Sequence, residues 1–151
     1  MCGIAGLFDR EVKNKSIIKK ITDKIIHRGP DESGFYSNQK GFYLGMRRLS
    51  IIDLKNGSQP VETKNIVLIF NGEIFNYNEL INNYKDSFFP RTTCDTELLS
   101  WLLDNIPYEK VLSNLIDSMH AFAWYNQSKN EIILSRDHAG IKPLYFAFLN
   151  S

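Results

Sequence analysis

The first nine residues, MCGIAGLFD, put a cysteine directly behind the initiator methionine. Removal of Met1, which a small second residue permits, leaves Cys2 with a thiol and a free α-amino group on one carbon. A thiol attacks as its thiolate or beside a base that takes its proton. An α-amino group, with an ordinary pKa of about 7.7 to 8.0, serves as that base near neutral pH. One residue would then carry both parts of a nucleophile, and Gly3 leaves room for a substrate close to the backbone. Read alone, Cys2 is the small apolar residue that opens a buried strand, the ordinary fate of a free cysteine.

The remaining reactive side chains narrow the chemistry. Cys2 and Cys94 form no CxxC pair, and His27, His120 and His138 show no metal-ligand spacing, so neither a structural zinc nor a disulfide is expected. No Walker-type or GxGxxG loop is present to cradle a nucleotide phosphate. Read alone, Asn71-Gly72 is as readily a hairpin turn as a functional pair, Asp95 as readily the N-cap of a helix carrying Leu98, Leu99 and Leu102 as a binding group, the two roles being compatible, and Arg48 more readily a solvated strand residue.

These residues must be positioned by a mixed set of elements. Gly3 to Phe8 reads as a buried strand. Residues 16–28, SIIKKITDKIIHR, place Ile17, Ile21 and Ile25 at four-residue spacing behind Ser16, with Ile18 beside them, which predicts an amphipathic helix. HRGPDESG is loop chemistry, followed by strands at Gly34 to Ser37 and Phe42 to Leu49. After the KNGSQP turn, Ile66 to Phe70 reads as a strand buried on both faces. Helices are predicted over Asn76 to Tyr84, Glu97 to Asp104 and Glu109 to Ile116. Ala121 to Tyr125 and Glu131 to Ser135 read as a hairpin, and Leu144 to Phe148 as a last strand. Hairpin-like strands with interspersed helices indicate an α+β fold on antiparallel sheets.

At 151 residues the chain has the length of one domain, with 43% apolar and 23% charged residues and a formal net charge of +1. That balance gives no electrostatic reason to expect nucleic acid or a membrane as partner. The apolar runs are too short to span a bilayer and the N-terminus lacks a signal-peptide layout, so a cytoplasmic protein is expected.

CGIAG, HRGPDESG, RRLSIIDLKNGSQPV, FNGEIFNY, CDTELL, HAFAWYN and SRDHAGIKPLYF follow one another across nearly the whole chain. Taken in that order, they resemble the class II (N-terminal nucleophile) glutamine amidotransferase domain. More particularly, they are similar to the N-terminal glutaminase domain of glutamine-hydrolysing asparagine synthetases. The resemblance implies an N-terminal-nucleophile hydrolase fold, a four-layer αββα sandwich of antiparallel sheets. It also implies that the domain lacks its C-terminal strands here, which would leave an apolar face open to association, including a homo-oligomer.

The same resemblance implies the roles. Cys2 is the nucleophile toward the carboxamide of L-glutamine. The Asn71 side chain and the Gly72 N–H form the oxyanion hole, such donors being worth roughly 3 kcal/mol each. Arg48 holds the α-carboxylate, Leu49, Ser50, Ile51 and Ile52 line the same segment, and Glu73 and Asp95 receive the α-ammonium. Ammonia leaves, and water releases glutamate from a thioester. No cofactor or metal is implied for this domain. ATP and Mg belong to a synthetase domain or subunit, absent from this chain, that would take the ammonia to an acceptor such as aspartate. A catalytically silent binding module, or an amidase for another amide, are the rival readings. Two departures from the family pattern stand out. Cys94 occupies a position where serine is usual, and His120 replaces an aromatic, which puts local packing in question.

Overall fold

The computed structural model describes residues 1–11, 16–51, 53 and 56–148. Among the described residues, seven strands form two antiparallel sheets. The first holds β1 (Gly3–Phe8), β2 (Glu32–Ser37) and β3 (Phe42–Arg48) in the order β1-β3-β2. The second holds β4 (Val61–Glu62), β5 (Ile66–Ile74), β6 (Ser118–Asn126) and β7 (Glu131–Arg136) in sequential order.

Alternation along the strands determines the layers. Phe42, Leu44 and Met46 of β3 meet Val67 and Ile69 of β5 and Ala123 and Tyr125 of β6, and this shared core joins the two sheets face to face. On the far side of the first sheet lies helix α1 (Ser16–Asp23), whose buried Ile18 and Thr22 pack over Gly45. On the far side of the second, Ile66, Leu68, Phe70 and Ile74 pack against α2 (Tyr77–Asn83) and α3 (Asp95–Asn105), with Leu98, Leu99 and Leu102 fully buried. The result is the four-layer αββα arrangement that the resemblance implies. Among the described residues, no helix is long and apolar enough to cross a membrane.

Several elements differ from expectation. Helix α1 ends at Asp23 rather than Arg28. The amides of Lys24 and Ile25 bond three residues back, tightening the chain into a 3₁₀ turn at Ile26–Arg28. Its buried stripe is Ile18 and Thr22, while Ile21 is exposed, because a glycine on β3 lets that face approach. The third predicted helix is only a turn, α4 (Tyr108–Lys110), running into a wider π-type turn at Val111–Leu115. Residues 144–148 are not a strand. The Asp137 carboxylate accepts from the amides of Ile141 and Lys142, which turns the chain off the sheet, and Tyr145, Phe146 and Phe148 stand exposed.

His120 proves well housed. Its ring lies against Phe122, and its two nitrogens are in hydrogen-bond contact with Ser118 Oγ at 2.8 Å and Ser135 Oγ at 2.9 Å. Burial pushes its pKa down, so the neutral imidazole fills the place of an aromatic with both nitrogens engaged.

Candidate active site

Strand β5 carries the centre of the site. Asn71-Gly72 is not a turn; the strand continues through both residues, paired with Ala121 and His120 of β6. Antiparallel pairing makes backbone groups alternate in direction. Odd-numbered positions of β5 and its flanks face β6: the Asn65 carbonyl accepts from Gln127, and the Phe75 amide donates to Asp117. Even-numbered positions therefore face the other edge, which β4 covers only opposite Val67 and Leu68. Along that edge, the Phe70 amide donates to Gln59 Oε1 at 2.6 Å and the Ile74 amide to Asp95 Oδ2 at 3.1 Å. Gly72 lies between them, and no described residue accepts its N–H. A side chain here would strike the Met119 carbonyl and the Phe70 ring, so glycine is required by the close approach of β6.

The Asn71 side chain projects from the opposite face, in line with Val67 and Ile69, into the layer between the sheets. It is buried, and no described residue hydrogen-bonds its carboxamide. Cys2 packs against that same layer. Its thiol donates to the Leu49 carbonyl at 3.8 Å, and its own carbonyl accepts from Arg28 Nε at 3.1 Å. Arg28 Nη2 is buried without a hydrogen-bond partner.

Register brings Arg48 to the same end. Gly3 pairs with Arg47 and Glu32 with Arg48, so Cys2, Arg48 and Glu32 stand at one rim of the first sheet. Arg48 is only 4% exposed; its Nη1 pairs with Glu32 at 3.2 Å and its Nη2 donates to the Asp53 carbonyl at 2.6 Å. Gly57 lies flat on the guanidinium, where a Cβ would collide with Nη2.

Asp95 opens α3 and is also buried. Burial pushes its carboxyl up; the Ile74 and Thr96 amides and the Cys94 thiol oppose this, and nearby Glu73 adds to the rise. Arg48 in turn favours the Cys94 thiolate, whose thiol burial otherwise pushes up. Arg48, Cys94, Asp95 and Glu73 thus lie within one electrostatic neighbourhood. A cleft of about 390 Å³ opens beside it over Gly57, Cys94 and Thr96. None of Cys2, Arg48, Asn71, Gly72, Glu73 and Asp95 lines that cleft. Among the described residues, no group of three or more His, Cys, Asp or Glu is arranged to hold a metal.

The family model for a glutamine amidotransferase domain matches residues 1–151. The chain belongs to this family. It is 37% identical to asparagine synthetase [glutamine-hydrolyzing] 1 of Bacillus subtilis, across 99% of this chain and 24% of that protein. It is 36% identical to asparagine synthetase B [glutamine-hydrolyzing] of Escherichia coli, across 98% of this chain and 27% of that protein. A rice asparagine synthetase [glutamine-hydrolyzing] 2 is also 36% identical, over 98% of this chain and 25% of its own length. The chain spans about a quarter of the length of the curated relatives it matches.

Within this amidotransferase domain, Cys2 and Asn71 meet the layer between the sheets, and Gly72 presents its N–H at the open edge of β5. Arg48, Glu73 and Asp95 form the charged neighbourhood beside them. The segment after Arg48 is less uniform. Leu49 offers its carbonyl to Cys2, the Ser50 amide is already given to Asp31 Oδ2 at 2.8 Å, the Ile51 side chain is exposed, and Ile52 lies outside the described residues. Arg28, expected only to shape the pocket, bonds the Cys2 carbonyl, and Glu32 and Asp53, which sequence reasoning gave no part, bond Arg48; Gln59, likewise unassigned, caps the Phe70 amide and donates to Thr96. Their signal was present in HRGPDESG and IIDLKNGSQP, whose polar residues are too many for a surface loop alone.

Proposed function

We propose that this domain hydrolyses L-glutamine to glutamate and ammonia through Cys2 as an N-terminal nucleophile, Met1 having been removed. The amine of Cys2 takes the thiol proton, and the sulfur attacks the carboxamide carbon. The C–N bond breaks as the amine returns its proton to the departing ammonia, and water cleaves the thioester to release glutamate. Asn71 and Gly72 receive the oxyanion, Arg48 the α-carboxylate, and Glu73 with Asp95 the α-ammonium. The ammonia goes to an ATP-dependent amidation, with aspartate as acceptor by analogy with the asparagine synthetases.

One observation carries this reading. The β5 edge has its amides at Phe70 and Ile74 capped by side chains while the amide between them, at the half-buried Gly72, has no described acceptor, and the Asn71 carboxamide beside it bonds no described residue. Two adjacent donors left open in this way suit an anion that forms only during reaction. The test is glutamate release by the purified chain and by Cys2→Ala, with intact mass recorded. Release that requires both Cys2 and the loss of Met1 is expected; release that survives Cys2→Ala would exclude the mechanism.

A second reading, a silent binding module, draws on one contact. Met1 Sδ accepts from Lys142 Nζ at 3.4 Å, and Lys142 is buried. A chain that keeps Met1 leaves Cys2 without a free amine. The mass measurement separates the two.

A further inference from the structure

We propose that Asp53 is a positioning residue that fixes the spacing between Arg48 and Asp95, and with it the preference for a free amino acid over a simple amide; this rests on the glutamine reading above.

Asp53 has φ of 46°, in the left-handed region that side chains seldom adopt, although aspartate tolerates it better than most. Such a conformation persists where surrounding contacts over-determine it. Here the contacts run in two directions. Its backbone carbonyl accepts from Arg48 Nη2 at 2.6 Å and from the Gly57 amide at 3.3 Å. Its carboxylate accepts from the Thr93 amide at 3.0 Å and the Thr93 hydroxyl at 3.3 Å through one oxygen. The other oxygen takes the amide and side-chain nitrogen of Asn56 at 3.0 and 3.1 Å.

The two groups joined in this way belong to different sheets. Arg48 ends β3 of the first sheet, whereas Thr93 lies two residues before Asp95, which opens α3 on the second sheet and holds the Ile74 amide of β5. An amino acid carries its carboxylate and ammonium on one carbon, so the groups that grip them must keep a fixed separation, with a tolerance on the order of 0.5 Å. Asp53 supplies a short polar bridge between them: carbonyl to the guanidinium, carboxylate to the segment that delivers Asp95. It touches neither the thiol nor the oxyanion donors, so its loss should weaken amino-acid binding and leave the chemical step.

Two substitutions test this in the full chain. Asp53→Gly removes the carboxylate while allowing the positive φ, and Asp53→Asn keeps one oxygen acceptor for Thr93. The substrates are L-glutamine and 4-aminobutanamide, which keeps the amine and the amide but lacks the α-carboxylate. Asp53→Gly is expected to raise KM for glutamine about tenfold, to leave kcat within about threefold, and to shrink the preference for glutamine by the same factor. Asp53→Asn should fall between Asp53→Gly and the parent. A parallel loss of kcat and kcat/KM on both substrates, or no change on either, would overturn the proposal.

Should the parent chain release no glutamate, the glutamine reading falls by itself, and the bridge is read by NMR instead. Asp53→Gly must then move both the Thr93 amide and the Arg48 guanidinium resonances while the Tyr125 amide, in the distant β5–β6 pairing, stays in place. An Arg48 signal that does not move would overturn the proposal in that case.

Discussion

Asp95 is held against its own preference for water. Burial raises its pKa and Glu73 raises it further, so above that pKa the folded chain carries a charge it would accommodate better unfolded. With a folded pKa above the unfolded one, the native state binds the extra proton in the window between the two values, and stability falls as pH rises through it. A substrate ammonium reverses the sign by favouring the carboxylate. Asp95→Asn should therefore leave the melting temperature at pH 7 unchanged or raised while weakening glutamine binding about tenfold or more. KM for glutamine should also rise as pH is lowered through the raised carboxyl pKa. Thermal melts and pH-dependent kinetics check both. Asn71 gives the complementary case. Since its carboxamide bonds no described residue, Asn71→Ala should lower kcat by about a hundredfold or more with little change in melting temperature. A large loss of stability would show that the side chain holds the fold. At this scale the motifs named residues that the fold brings to the facing ends of two sheets, Cys2 and Arg48 on one and Asn71 to Glu73 on the other. The capped edge of β5 was not legible, because Gln59 and Asp95 reach Phe70 and Ile74 from 11 and 21 residues away.

The elements were legible where local pattern and burial agree. Strand β1, the hairpin of β6 and β7, and helices α2 and α3 stand within a few residues of their predicted bounds. Helix α1 buries the expected Ile18 but also Thr22 in place of Ile21, and β5 was stopped too early at Phe70, since apolar periodicity in one segment does not reveal what its neighbours offer. Asn71-Gly72 has the chemistry of a turn, yet nine successive pairings with β6 hold β5 straight through it. Residues 144–148 have strand composition, but Asp137 turns the chain away first. Burial pushes the Asp137 carboxyl up, but the amides of Lys142, Ile141 and His120 outweigh it and bring the pKa to about 2. Its folded pKa is thus depressed, so its contribution is fully present above the ordinary aspartate value of about 3.9 and is lost as pH falls toward 2. Denaturant midpoints measured between pH 6 and pH 2 should converge for the parent chain and Asp137→Asn at the acid end. Curves that stay parallel throughout would count against this role.

Across the whole molecule, the site depends on two sheets that meet in one core. Cys2 and Arg48 come from the first, whereas Asn71, Gly72 and Glu73 come from the second and Asp95 from the helix packed on it. Long-range pairing of this kind leaves little trace in a local sequence pattern. The fold class was legible from the ordered motifs, and an open apolar face was expected, but that Tyr145, Phe146 and Phe148 stand exposed rather than in a last strand emerged only in three dimensions. A ligand that bridges both sheets should stabilise them together. At one hundred times its Kd, glutamine should add about 2.7 kcal/mol to Cys2→Ala and raise a single cooperative transition by roughly 5 to 10 °C. Two separate transitions, only one of them responsive to glutamine, would contradict a shared site.

The Cys2 mechanism turns on one covalent bond, which acid-quenched peptide mass spectrometry during glutamine turnover detects. A glutamyl thioester is expected on the N-terminal peptide that begins at Cys2, absent from Cys2→Ala and from any chain that retains Met1. Continued turnover with no adduct on that peptide, or an adduct on Cys94 instead, would contradict that mechanism.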